Sequence, residues 1–129
     1  MYSGFITLFI ILITFVISYK GFDNKNFFSK LVFDVDNIFI NREYYRIISS
    51  GFLHANWTHL ILNMMTVYLF GSGLEDVLGG LFYILLYFGS MIGGELLSLL
   101  IHRNNGSYRS VGASGAVCGL IFASIAIFP

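Results

Sequence analysis

Ser114 sits between Ala113 and Gly115 in the stretch VGASGAVCGL, in an otherwise apolar run. A serine hydroxyl attacks a carbonyl only when a neighbouring base removes its proton. Ser114 follows the polar stretch 102–110 and opens an apolar segment, which places it in the first turn of an expected helix. Unpaired N–H groups and the positive end of the helix dipole lie there, so an oxyanion forming beside Ser114 is stabilised. Gly112 and Gly115 flank the serine closely and let backbone and substrate approach it. The same stretch has a structural use, because Gly115 and Gly119 form a small-xxx-small pair that presses one helix against another. On this motif alone, nucleophile and packing seam are equally supported. The pattern is not the G-x-S-x-G elbow of soluble hydrolases, since the second glycine follows the serine directly.

His59 and Asn63 are four residues apart and share one helix face. Polar side chains inside a membrane span face a cavity or another helix. Taken by themselves, these two are read first as a structural hydrogen bond between helices, worth about 1 kcal/mol. His54 and His59, five apart, point away from each other on a continuous helix, and no H-E-x-x-H is present, so a metalloprotease is excluded. The one cysteine, Cys118, allows neither an internal disulfide nor a cysteine cluster for zinc. Glu95 falls in an apolar segment, where it needs water or a partner. Glu75 and Asp76 are expected in a short turn, capping the helix that follows.

The elements that must position these residues are set by composition. Of 129 residues, 57% are hydrophobic, 18% aromatic and 11% charged, and the mean hydropathy is +0.79. Soluble domains carry about 25% charged residues. Such an excess of apolar surface points to a bilayer. The zero net charge gives no case for nucleic acid. Four spans are expected, over 2–19, 58–74, 78–101 and 112–128. The first lacks a basic leader and a small-x-small cleavage site and is read as retained. The only proline is residue 129, so no proline kinks a helix. Residues 20–57 mix aromatic rings with Lys25, Lys30, Arg42 and Arg46, a combination suited to the headgroup region. The fold class is thus an all-α polytopic membrane protein with an interfacial loop. All seven Lys and Arg residues fall in the first and third connections, on one side of the membrane. The positive-inside rule would make that side cytoplasmic.

From about residue 43 to the end, the sequence resembles the rhomboid family of intramembrane serine proteases. EYYRIISSGFLHANWTHLILNMMTVYLFGSGLEDVLG looks like that family's first-loop and second-helix signature, and GASG like its Gly-x-Ser-Gly nucleophile motif. The resemblance implies a rhomboid-like helical bundle with four of the usual six spans. It makes Ser114 similar to the nucleophile, with Gly112 and Gly115 around it. His59 and Asn63 match an H-x-x-x-N pair whose side chains help the Ser114 N–H hold the oxyanion. His54 matches a further histidine, more structural than chemical. Tyr45-Arg46 stands where the family usually has Trp-Arg. Glu75 and Gly79 match residues that close the turn after the second span. Cys118 departs from the aromatic ring usual one turn after the serine.

The implied activity is endoproteolysis in or near transmembrane segments of protein substrates, through an acyl-enzyme, with the bilayer as solvent and with no cofactor or metal. The implied location is multi-pass in the plasma membrane of a bacterium. The family's general base is a histidine on its sixth helix, so a chain ending after the fourth span is expected to have little activity alone. The alternative is a non-catalytic rhomboid-like protein that binds transmembrane clients; the missing base favours it, and the intact serine, histidine and asparagine disfavour it. A channel element has the least support, for want of charges on the second and fourth spans. The family's first and third loops face outside, against the positive-inside rule, and the motif is given precedence.

Overall fold

The computed structural model describes residues 4–129; the start of the first expected span, at Tyr2, lies outside them. Four longer helices form the body: α1 (Phe5–Asp23), α5 (Trp57–Leu78), α6 (Gly80–Ile101) and α7 (Ser114–Ile127). Between α1 and α5 come the short helices α2 (Lys25–Leu31), α3 (Val35–Phe39) and α4 (Arg46–Ser49), the strand β1 (Phe33–Asp34) and a 3-10 turn, Ser50–Phe52. The strand β2 (Arg109–Ser110) precedes α7.

α1 turns an unusual face inward. Its buried residues are Thr7, Ile10, Thr14, Ser18 and Gly21, spaced three or four apart, while Phe9, Leu12, Phe15 and Val16 are exposed. A soluble amphipathic helix does the reverse. In lipid no hydrophobic gain comes from hiding a leucine, and small residues win the interface because they let backbones approach. The α6–α7 seam follows the same logic. A methyl on Gly115 would lie 3.1 Å from the Ser90 carbonyl oxygen, and one on Gly119 would strike the Ser90 side chain. Gly94 lies against the Gly115 backbone, whereas Gly89 and Gly93 face open space. The small residues of α6 therefore split between two faces, since neighbours in a helix are about 100° apart.

Two helices, Phe5–Asp23 and Gly80–Ile101, are long and apolar enough to cross a membrane. The expected count of four does not follow from length and hydropathy alone. α7 has 14 residues, roughly 21 Å of rise against a hydrocarbon core of about 30 Å. α5 has 22 residues, but it carries Glu75 and Asp76 in its last turns.

The structure corrects the expected turn at Glu75. α5 runs on to Leu78 and stops at Gly79, whose positive φ of 80° suits glycine. α6 begins at the next residue, so Glu75 and Asp76 lie in helix and not in a turn. Glu75 caps α1, not α6. Its carboxylate accepts from the N–H groups of Ile6 at 3.1 Å and Thr7 at 2.9 Å, and from the Thr7 hydroxyl at 2.8 Å. The reason lies in α1: Gly4 at its N-cap supplies no side-chain acceptor, and the orphan N–H groups take one from the neighbouring helix. Thr7 Oγ1 is also 2.9 Å from the Tyr83 hydroxyl, which ties α6 to the same point.

The stretch read as a loop over 20–57 is a folded platform. Arg46 is 5% exposed, and its guanidinium donates to the carbonyls of Ser29 and Val32 and to Glu43 Oε1, all at 2.8 Å. Ser49 Oγ donates to the Leu31 carbonyl at 2.8 Å. Phe33, Val35 and Ile38 form a small buried core of their own. β1 and β2 pair antiparallel, Phe33 opposite Ser110 and Asp34 opposite Arg109. An Arg109–Asp34 ion pair at 3.1 Å closes the ladder. The N–H groups of Val35 and Asp36 donate to the carbonyls of Tyr108 and Gly106. The platform thus grips the segment that leads into Ser114.

Candidate active site

Ser114 is the first residue of α7 and is exposed. Among the described residues its hydroxyl makes no hydrogen bond. The turn before it is fixed by Gly112, whose N–H donates to the Ser50 carbonyl at 3.0 Å and whose φ is +119°, a conformation open to glycine. Gly112 is needed for space as well. A methyl there would lie 2.6 Å from His59 Cε1, 3.0 Å from His59 Nε2 and 3.6 Å from Ser114 Oγ. The serine hydroxyl and the His59 ring therefore close in over the Gly112 backbone and leave no room there for a side chain.

His54 is the hub of this corner and is fully buried. Its Nδ1 is 3.0 Å from Ser18 Oγ, and that hydroxyl spends its one proton on the Phe52 carbonyl at 2.7 Å. Nδ1 must therefore carry the imidazole proton and donate it to Ser18. Nε2 is then the acceptor, and it takes Asn63 Nδ2 at 3.0 Å and the Ala113 N–H at 3.4 Å. One neutral ring joins α1, α5 and the turn before the serine. Burial holds its pKa down, from 6.5 to about 4, and the His59 ring adds to the effect; the two ring centroids are 4.8 Å apart. His54 is thus an uncharged acceptor near pH 7. Asn63 keeps a second N–H beyond the one given to His54. His59 is held by the start of α5, where Asn56 caps the helix by accepting the His59 N–H at 2.9 Å.

A cavity of about 290 Å³ opens beside Ser114, lined by Glu95, Ser98, Tyr108, Ser110 and Cys118 among others. Glu95 has its partner here: the Ser50 hydroxyl donates to Oε2 at 3.0 Å. Tyr108 is stacked on His102 with centroids 3.6 Å apart.

Of the residues singled out in the sequence, Ser114, His59, Asn63, His54, Gly112 and Gly115 come together. Arg46 and Glu75 do not. Arg46 anchors the platform, and Glu75 caps α1 at the far end of α5, roughly 24 Å along the helix from His59. His54 and His59, read as diverging, meet edge to face, because α5 starts only at Trp57 and His54 precedes it. Sequence reasoning missed Ser18 and Ser50. Ser18 was detectable as part of the Thr7–Thr14–Ser18 hydroxyl stripe; Ser50 carries no local signal. Among the described residues no three His, Cys, Asp or Glu side chains cluster to hold a metal.

The family model for the Rhomboid domain matches residues 41–129. The rhomboid protein YdcA of Bacillus subtilis is 41% identical over 80 residues, which make up 62% of this chain and 39% of that one. RHOMBOID-like protein 4 of Arabidopsis thaliana is 41% identical over 88 residues, 68% of this chain and 22% of its own length. The mitochondrial Rhomboid protein 1 of Saccharomyces cerevisiae is 37% identical over 86 residues, 64% of this chain and 25% of its own length. The chain therefore spans well under half the length of these relatives, which come from a bacterium, a plant and a yeast mitochondrion. With the match covering 41–129 and these identities, the chain belongs to the rhomboid family.

Proposed function

We propose that this chain carries the nucleophile and oxyanion site of an intramembrane serine endopeptidase, with α1, α5, α6 and α7 crossing the bilayer. The observation that supports this best is that Ser114 Oγ and the His59 ring come close together over the Gly112 backbone, which leaves no room for a side chain there. A substrate carbonyl held against Ser114 from the open side of the site would meet the hydroxyl on one side and donors on the other. The first-turn N–H groups of α7, His59, and the second N–H of Asn63 are those donors. By family resemblance, a histidine base takes the Ser114 proton as the oxygen attacks, giving a tetrahedral oxyanion, and returns it to the leaving amine; water, deprotonated by the same base, then hydrolyses the acyl-enzyme and restores Ser114. His54 positions the site by fixing Asn63 and Ala113 at once. Substrates are transmembrane segments, reached within the lipid-facing bundle.

A second reading, a non-catalytic rhomboid-like protein that binds transmembrane clients, draws on one observation: among the described residues no ring nitrogen is bonded to Ser114 Oγ. A fluorophosphonate probe on the full-length gene product separates the two. Labelling that Ser114→Ala abolishes supports the peptidase; a folded wild type that stays unlabelled supports the client binder. For the oxyanion donors, His59→Ala and Asn63→Ala together should cost about 3 kcal/mol in turnover without unfolding the protein. Unchanged turnover in both would remove these residues from the site.

A further inference from the structure

The turn that presents Ser114 cannot hold itself. Gly112 sits at a φ of +119° and has no side chain to pack, and glycine is the residue freest to leave such a conformation. Two acceptors hold the turn from outside. The Gly112 N–H donates to the Ser50 carbonyl at 3.0 Å, and the Ala113 N–H reaches His54 Nε2 at 3.4 Å. The Ser50 bond is the shorter of the two. Yet Ser50 lies where α4, a helix of four residues, passes into a single 3-10 turn. Helical pieces that short are not stable by themselves, so a longer element must fix Ser50.

That element is α6. Ser50 is 1% exposed, and its hydroxyl donates to Glu95 Oε2 at 3.0 Å. Beside it, a methyl on Gly51 would strike the Met91 thioether. Met91 and Glu95 are four apart and share one face of α6. The same stretch receives α7: a methyl on Gly115 would lie 3.4 Å from Met91 Cα. One turn of α6 therefore seats both the corner that holds Gly112 and the helix that begins at Ser114. From this geometry we infer that Ser50 is a positioning residue: its hydroxyl bond to Glu95 locks its carbonyl onto Gly112, and so sets where Ser114 and the first-turn N–H groups of α7 stand. The inference rests on Ser114 being the nucleophile of a peptidase. Without the bond the turn gains freedom, and a misplacement of about 1 Å near the reacting atoms costs up to about 100-fold in rate.

The test uses the full-length protein in lipid nanodiscs and two readouts: labelling by a compact alkyl fluorophosphonate, and hydrogen exchange of the Gly112 amide. The phosphoryl oxygen of the probe takes the oxyanion position, so its maximal labelling rate reports how well the turn is placed. Ser50→Ala and Glu95→Leu should each lower that rate, per folded molecule, by about 10- to 100-fold. Apparent affinity for the probe should change little, and Gly112 exchange should quicken. Glu95→Gln keeps an amide oxygen that accepts from Ser50 and should recover most of what Glu95→Leu loses. Combining Ser50→Ala with Glu95→Leu should be no slower than the slower single variant, because both remove one bond. A purely structural role would lower the folded fraction and spare the rate per folded molecule; that result overturns the inference, as do additive losses. If no variant folds, the wild type decides: its Gly112 amide should be protected relative to exposed Asn104, and equal exchange at the two overturns the inference. Failure of the probe to label folded wild type defeats the peptidase reading itself, and exchange alone then decides whether Ser50 holds the turn.

Discussion

At the scale of single residues, His54 shows how a buried titratable group can serve structure by staying neutral. Its two nitrogens have opposite duties: Nδ1–H donates to Ser18, and Nε2 accepts from Asn63 and Ala113. Protonation would put a second proton on Nε2, facing two donors. The folded pKa of about 4 lies below the ordinary 6.5, chiefly through burial and then through His59. The sign follows. Between pH 6.5 and 4 the unfolded chain binds a proton that the folded chain refuses, so stability falls as pH drops through that window. Above 6.5 both states are neutral and His54 contributes no slope; below about 4 the folded form titrates too. Thermal midpoints of wild type should therefore drop more between pH 7 and 4.5 than those of His54→Gln, which has no titrating ring. Parallel curves would show that His54 is not the group refusing the proton. The role was only partly legible beforehand. The sequence marked His54 as structural through the family signature, but its partner Ser18 lies 36 residues away, a separation that no local pattern encodes.

At the scale of elements, the α6–α7 seam depends on the absence of side-chain atoms. Gly119 faces Ser90, and Gly115 faces the backbone of Ser90 and Met91. Overpacking a close helix contact costs about 1–3 kcal/mol. Gly119→Ala should destabilise the protein by that amount in a detergent unfolding titration. Adding Ser90→Gly should restore most of the loss, because the obstruction is the Ser90 side chain. A double variant as unstable as the single one would mean that α7 does not sit against α6 in this register. The small-xxx-small spacing made one side of this seam readable in advance. The α6 side is not readable in that way, since Gly89 and Gly93 look equivalent to Ser90 and Gly94 until a partner helix selects a face. Glu75 was misread for a related reason. An acidic residue near a helix break reads as a cap for the next helix, and only packing reveals that the uncapped N-terminus beside it belongs to α1.

At the scale of the whole molecule, hydroxyls and small residues line the inner face of α1 and the α6–α7 seam, Leu60, Leu74, Tyr83, Tyr87 and Leu120 fill the core between the helices, and many other large apolar side chains face away. Composition alone foretold a membrane protein; it did not foretell that residues 24–53 fold into a platform. That depended on Arg46, whose guanidinium spends its donors on main-chain carbonyls and Glu43, and on pairing with β2 across 75 residues of sequence. The pairing fixes topology. Because β1 is bonded to β2, the platform and the 102–110 segment must lie at the same end of the bundle, and Gly79 must lie at the other. In sealed vesicles, with Cys118 replaced by serine, cysteines at exposed Asn41 and Asn104 should react with a membrane-impermeant maleimide from the same face. A cysteine at exposed Asp76 should react only from the opposite face, and one at lipid-facing Leu12 from neither. Labelling of Asn41→Cys and Asn104→Cys from different faces would break the β1–β2 pairing, and with it the gripped turn that presents Ser114. Which face the first two share also decides between the charge rule and the family signature. The seven cations all lie with the platform and the 102–110 segment, or one turn inside the helix that leads into it; a cytoplasmic result would favour the positive-inside rule, and an outward one would place the Ser114 cavity toward the exterior.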